Sequence, residues 1–179
     1  MAQPAVAQER PTRILISEEQ IRNRIAELGA QIDADYAGGT VHLVGILKGS
    51  FIFLADLARA VSLPARVDFI GISSYGMEKR TSGEVKLTKD LDMSIEGADV
   101  IVVEDIVDSG VTLTYLIHVL EQRNPRSLKI AALLDKPERR KRPIKADYVG
   151  FTIPDEFVVG YGLDFAENHR NLADVRVVD

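Results

Sequence analysis

Two adjacent carboxylates, Glu104 and Asp105, follow four apolar residues, Val100 to Val103. Asp108, Ser109, Gly110, Val111 and Thr112 come next. Small residues and hydroxyls at the start of a helix suit an anion, because the first helical turn leaves backbone N–H groups unpaired and its dipole adds positive potential. Gly110 lets the backbone approach a ligand closely, and Ser109, Thr112 and Thr114 can add hydroxyl donors. The two acids would repel a bare phosphate. They fit sugar hydroxyls, or a metal ion that carries part of the ligand's charge. The spacing asks for a phosphorylated sugar with a divalent cation nearby.

These side chains need a strand and a helix to position them. The unbroken run Val100–Val103 suits a strand buried on both faces of a parallel sheet, with the acids where it ends. Leu113, Leu116, Ile117 and Leu120 recur at helical spacing behind the loop. The same strand–loop–helix order occurs earlier. Val41–Leu47 reads as a buried strand and Lys48-Gly49-Ser50 as a turn. A helix follows over about 51–61, with Phe51, Leu54, Ala55, Ala58 and Val61 expected inward, until Pro64 stops it. Ser17-Glu-Glu-Gln20 is a capping box ahead of Ile21, Ile25, Leu28 and Ile32, and Gly38-Gly39 closes that unit. Arg13–Ile16, Arg66–Ile72, Ser127–Leu134 and Asp147–Phe151 are further strand candidates, and apolar runs recur at Phe157–Tyr161 and Val175–Val178. Ser73–Asp90 reads as a long loop, of the kind that forms lids, or a loose hairpin around Gly83. The basic run from Asp135 to Lys145 reads as a solvated connection. The class is α/β with an open parallel sheet, and ligands then bind beyond the carboxyl ends of strands. Residues 1–12 are expected to be a flexible tail, and 13–179 one domain.

With 46% hydrophobic and 27% charged residues, the composition is ordinary for a globular chain. A net charge of −5 speaks against a nucleic-acid binder. There is no cysteine, so thiolate metal sites and thiol nucleophiles are excluded. No apolar run is long enough for a membrane span, no secretory signal is visible, and a cytoplasmic setting is expected. Gly-x-x-x-x-Gly-Lys-Ser/Thr and a helix-opening Gly-x-Gly-x-x-Gly are both missing, which sets aside Walker-type NTPases and dinucleotide binders.

The stretch Val-Val-Glu-Asp-Ile-Val-Asp-Ser-Gly-Val-Thr112 resembles the phosphoribosyl-pyrophosphate signature of type I phosphoribosyltransferases. Leu47-Lys48-Gly49-Ser50, Ser74-Tyr75, Leu134-Asp135-Lys136, Ile153 through Asp164, and Arg170 are similar, in order, to motifs of the hypoxanthine-guanine branch. The resemblance spans about Ser17 to Leu172. It implies a five-stranded parallel sheet flanked by helices, with a small hood from the chain termini. It also implies Mg2+-dependent transfer of phosphoribosyl from phosphoribosyl pyrophosphate to a 6-oxopurine, giving IMP or GMP, by a homodimer or homotetramer.

Residue roles follow from the same resemblance. Asp108, Ser109, Gly110, Val111 and Thr112 cradle the 5′-phosphate. Glu104 and Asp105 lie under the ribose hydroxyls and, with Asp164, serve magnesium. Asp108 is also the general acid/base at purine N7, which requires an approach of about 3 Å or one bridging water. Lys136 donates to O6, Phe157 stacks on the purine, and Val158 meets its edge through backbone groups, with Asp164 beside the base. Lys48, Gly49 and Arg170 bind pyrophosphate, and the peptide at that loop can be cis. Ser74 and Tyr75 belong to a lid. Two positions depart from some members, which carry Lys where this chain has Val111 and Glu156. Two other readings remain at this point: a transferase for xanthine or another 6-oxopurine, and a regulator that keeps the sugar-phosphate pocket but binds RNA.

Overall fold

The computed structural model describes residues 12–73 and 86–178. The expected lid residues Ser74 and Tyr75, and the turn at Gly83, lie outside them, as does the chain before Thr12. The strands are β1 (Thr12–Ile16), β2 (Val41–Leu47), β3 (Ala65–Ser73), β4 (Lys86–Lys89), β5 (Asp99–Val107), β6 (Ser127–Asp135), β7 (Tyr148–Thr152), β8 (Val158–Val159) and β9 (Val175–Val178). The helices are α1 (Glu18–Asp35), α2 (Phe51–Ala60) and α3 (Val111–Glu121).

The main sheet runs β4-β3-β2-β5-β6-β7. Its last five strands are parallel. The antiparallel β4 adds a sixth strand at the edge, with Lys86–Lys89 paired to the end of β3. A second sheet, β1-β9-β8, draws its strands from both ends of the chain and forms the hood.

Alternation along the central strands explains why they are apolar throughout. Ile101, Val103, Ala131 and Leu133 pack with Ile21, Ile25, Leu28 and Ile32 of α1 and with Phe53, Leu54 and Leu57 of α2. Val100, Val102, Ile130 and Ala132 face the other way, against Leu113, Leu116 and Leu120 of α3. Each strand is buried on both faces, and no polar alternation is left to read.

Helix α1 begins as its sequence predicts. Ser17 Oγ accepts from Gln20 N at 3.2 Å, and Ser17 N donates to Gln20 Oε1 at 2.9 Å. In α2 the inward face differs from expectation. Phe53, Leu54 and Leu57 are buried, while Phe51 is 42% exposed and Ala55 also faces solvent. The helix starts at Phe51, and the buried stripe set by Leu54 and Leu57 leaves that first residue on the outer side. Strand β5 also differs: it continues through Glu104 and Asp105 to Val107, paired with β6 throughout. The acids stand on a strand and not in a loop.

At the far end of the sheet, Arg126 and Ser127 Oγ donate to Asp99, with Arg126 Nε at 3.0 Å and the hydroxyl at 2.8 Å. The Arg126 hydrogen bond holds the Asp99 carboxyl below the usual carboxylate range. A depressed folded-state value contributes stability above the unfolded-chain value of about 3.9, and that contribution fades as pH falls through the folded value. Asp99→Asn is therefore expected to cost about 1 kcal/mol at neutral pH. The difference from the parent should close as pH drops below about 4. Urea melts at the two pH values measure this, and an unchanged difference would assign the effect to packing.

Candidate active site

The loop after β5 is built around Gly110. Its φ is +76°, and a Cβ there would come within 2.5 Å of Ile144 Cγ2, so both backbone and space call for glycine. Val111 opens α3 directly behind it. Thr114 is not available to a ligand in this arrangement, because its hydroxyl donates to Gly110 O at 2.7 Å. The outer side of the loop is held by the basic segment. Ser109 O accepts from Lys141 N at 2.9 Å and Arg142 N at 3.2 Å, and Arg140 Nη1 donates to Asp108 O at 2.9 Å. Arg140 is also ion-paired to Asp135. The run from Asp135 to Lys145, expected to be solvated, instead braces the anion loop. The first amide of α3, Val111 N, donates to Ser109 Oγ at 3.4 Å within the loop.

Glu104 and Asp105 stand at the base of this loop. Burial, and then the neighbouring Asp105 charge, push the Glu104 carboxyl well above the usual carboxylate range. Two crowded acids relax beside a cation. Among the described residues no three Asp, Glu or His side chains converge into a cation cage. Asp164 is not gathered with the pair: its carboxylate meets Arg170 Nη2 at 2.9 Å and accepts from Glu167 N at 2.8 Å. An all-oxygen pair without a closed cage fits magnesium, which keeps several waters and binds through one or two carboxylates plus substrate phosphates.

A second loop reaches Asp105 from β2. The Leu47–Lys48 peptide is cis. A Cβ on Gly49 would fall on the Asp105 carboxylate, and a Cβ on Gly162, whose φ is +104°, would fall on Gly49 O. Acid, loop and hood turn are thus in direct contact. Lys48 Nζ meets Glu167 Oε2 at 3.0 Å and holds that carboxyl below its usual range. Arg170 Nη1 donates to Gly162 O at 2.8 Å, while its buried Nε has no hydrogen-bond partner among the described residues.

Lys136 lies at the end of β6, its side chain only 6% exposed. Its Nζ is 3.7 Å from Asp155 Oδ1. Arg139 reaches the same oxygen at 3.5 Å and Asp108 Oδ1 at 3.5 Å. Phe157 presents a ring that is 52% exposed and meets Phe165 edge-on, with centroids 5.7 Å apart. Val158 is buried and paired with Val177 of β9. Glu156 is turned away to Arg13 of β1, so the carboxylate beside the aromatic ring serves the hood.

A family model described as a phosphoribosyl transferase domain matches residues 16–166. The chain belongs to the phosphoribosyltransferase family. It is 49% identical over 166 residues to the hypoxanthine-guanine phosphoribosyltransferase of Bacillus subtilis, covering 93% of this chain and 92% of that protein. It is 52% identical over 161 residues to the hypoxanthine phosphoribosyltransferase of Salmonella typhimurium, covering 89% and 90%. A crystal structure of a Bacillus anthracis hypoxanthine-guanine phosphoribosyltransferase, with a HEPES molecule in its active site, superposes with a TM-score of 0.91 at 50% identity, covering 96% of this chain and all of that one.

The type I phosphoribosyltransferase fold expected from the sequence is the one observed, with the additional edge strand β4. Lys136 and Asp108 are linked through Asp155 and Arg139, and Lys48, Gly49 and Arg170 meet Glu167, Asp105 and Gly162 on the hood side. Arg139, Arg140, Asp155, Phe165 and Glu167 contact these candidate residues or the strand end beside them without having been singled out in the sequence. Pro137, which sets the 3₁₀ turn Pro137–Arg139, was the available hint that the basic run folds back.

Proposed function

We propose that this phosphoribosyltransferase works in purine salvage, moving phosphoribosyl from phosphoribosyl pyrophosphate to hypoxanthine and releasing IMP and pyrophosphate. The observation that carries the reading is the run of ion pairs that links a donor, Lys136, through Asp155 and Arg139 to an acceptor, Asp108, with the exposed ring of Phe157 two residues beyond Asp155. A base with a carbonyl at position six and an N–H at position seven fits that donor and acceptor. Guanine shares both groups, and the Bacillus subtilis relative is named for both bases.

In the proposed reaction the purine N9 lone pair attacks C1′ of the ribose while the bond from C1′ to the pyrophosphate oxygen breaks. The N7 proton passes to Asp108. The amides of Asp108–Thr112 hold the 5′-phosphate, and Glu104 and Asp105 lie under the ring where oxocarbenium charge develops. Lys48, Gly49 and Arg170 hold the leaving pyrophosphate. Phe157 stacks on the base, and backbone groups of Val158 fix its edge. Magnesium held at Glu104 and Asp105, or separately at Asp164, would neutralise charge on the diphosphate. Family membership supports magnesium as the metal, and the exposed Phe51 close to Lys48 supports a homodimer or homotetramer. No helix among the described residues is long and apolar enough to cross a membrane.

The test is incubation with phosphoribosyl pyrophosphate, magnesium and a panel of purines, followed by absorbance. Hypoxanthine should be consumed with equal release of pyrophosphate, and chelation should stop it. Transfer only to xanthine would move the assignment to another 6-oxopurine. Affinity for RNA without pyrophosphate release with any base would point to a regulator.

A further inference from the structure

Asp155 has no part in the reaction above, yet it stands among the groups that do. Four charges alternate along the base edge: Lys136, Asp155, Arg139, Asp108. One oxygen of Asp155 lies 3.7 Å from Lys136 Nζ and 3.5 Å from Arg139 Nη1, and Arg139 Nε is 3.5 Å from Asp108 Oδ1. The Lys136 side chain is almost fully covered, and a covered ammonium needs a counter-charge. Among the described residues Asp155 is the one carboxylate within 4.0 Å of it.

We propose that Asp155 is a positioning residue that sets selectivity for an oxo over an amino group at position six of the purine, without touching the base. It aims Lys136 at the carbonyl and keeps Arg139 divided between two carboxylates. The inference rests on the function proposed above and adds to it.

The geometry gives the reason. Separations of 3.5–3.7 Å are too long for full hydrogen bonds, so the ammonium keeps protons free for a carbonyl. An amino group at the same place would offer only donors to a donor. Without Asp155, Arg139 keeps Asp108 as its carboxylate partner, and a guanidinium held on Asp108 alone would compete with the purine N–H for that carboxylate. The backbone fixes this division. Ile153 N donates to Asp135 O at 2.9 Å, tying the turn to the strand end that carries Lys136. Glu156 N donates to Pro154 O at 2.8 Å, and the two acids of the turn diverge, Glu156 to Arg13 and Asp155 to the base edge.

Asp155→Asn in the full chain tests the proposal, with hypoxanthine, adenine and phosphoribosyl pyrophosphate varied separately. Expected is a drop of about tenfold in kcat/KM for hypoxanthine, carried by the base KM. The KM for phosphoribosyl pyrophosphate should hold, the preference over adenine should narrow, and Asp155→Glu should recover most of the loss. Asp155 is 46% exposed, so the variant should fold, and a thermal melt verifies it. An unchanged base KM and preference would overturn the proposal. So would a joint rise of both KM values that Asp155→Glu does not rescue. A parent protein that transfers phosphoribosyl to no base overturns the functional reading itself, a result visible before any variant is compared.

Discussion

In Asp108→Asn, turnover is expected to fall by about 10²–10⁴-fold while the fold is kept. The carboxamide has the shape of the carboxylate and can still accept a hydrogen bond from N7–H, so base binding should change little. It cannot take the proton, so the loss belongs in kcat. The fold has little invested in this side chain. Among the described residues no hydrogen-bond donor reaches Asp108 Oδ1, and its one ion pair there is to a half-exposed Arg139 at 3.5 Å. Exposed pairs of that kind contribute about 0–1 kcal/mol. Steady-state rates with hypoxanthine varied, together with a thermal melt, decide the matter. Near-normal turnover would remove Asp108 from proton transfer.

Gly49→Ala is expected to be as damaging by a different route. A methyl group at Gly49 would overlap the Asp105 carboxylate, and the loop cannot retreat because Gly49 O already lies against Gly162. Asp105 is held too, since its Oδ1 accepts from Ile106 N at 2.7 Å. Overpacking of this sort costs about 1–3 kcal/mol of stability. Misplacing catalytic groups by about 1 Å can cost 10²-fold in rate. The expected result is a loss of about that size in kcat/KM for phosphoribosyl pyrophosphate, with base recognition along Lys136 and Phe157 much less affected. Rates with phosphoribosyl pyrophosphate varied test this, and a parental KM would show that the loop has slack.

Much of the fold was legible because burial writes itself into strands and helices. The apolar run before Glu104, the capping box at Ser17 and the stripe from Leu113 to Leu120 each depend on local pattern, and each is observed. The inner face of α2 was misjudged because an apolar residue at a helix start is no guide to which side is covered, and Phe51 is the case. The end of β5 was misplaced because acids usually mark loops, whereas here they extend a ladder already fixed by β6. The charge pairs were the least legible part. Arg139 and Arg140 look like any exposed basic run until tertiary structure sets them against Asp108, Asp135 and Asp155. Thr114 shows the converse: a hydroxyl in a suitable place whose hydrogen is taken by its own helix.

The hood pairs Thr12 with Val178 and Val158 with Val177, so its first and middle strands both lean on its last. During synthesis on the ribosome, the parallel layer and its phosphate cradle can assemble as they emerge. Strand β1 leaves the exit tunnel early and then waits for β9 to join it. The hood, with the aromatic ring of Phe157 beside β8, is therefore completed after the parallel layer.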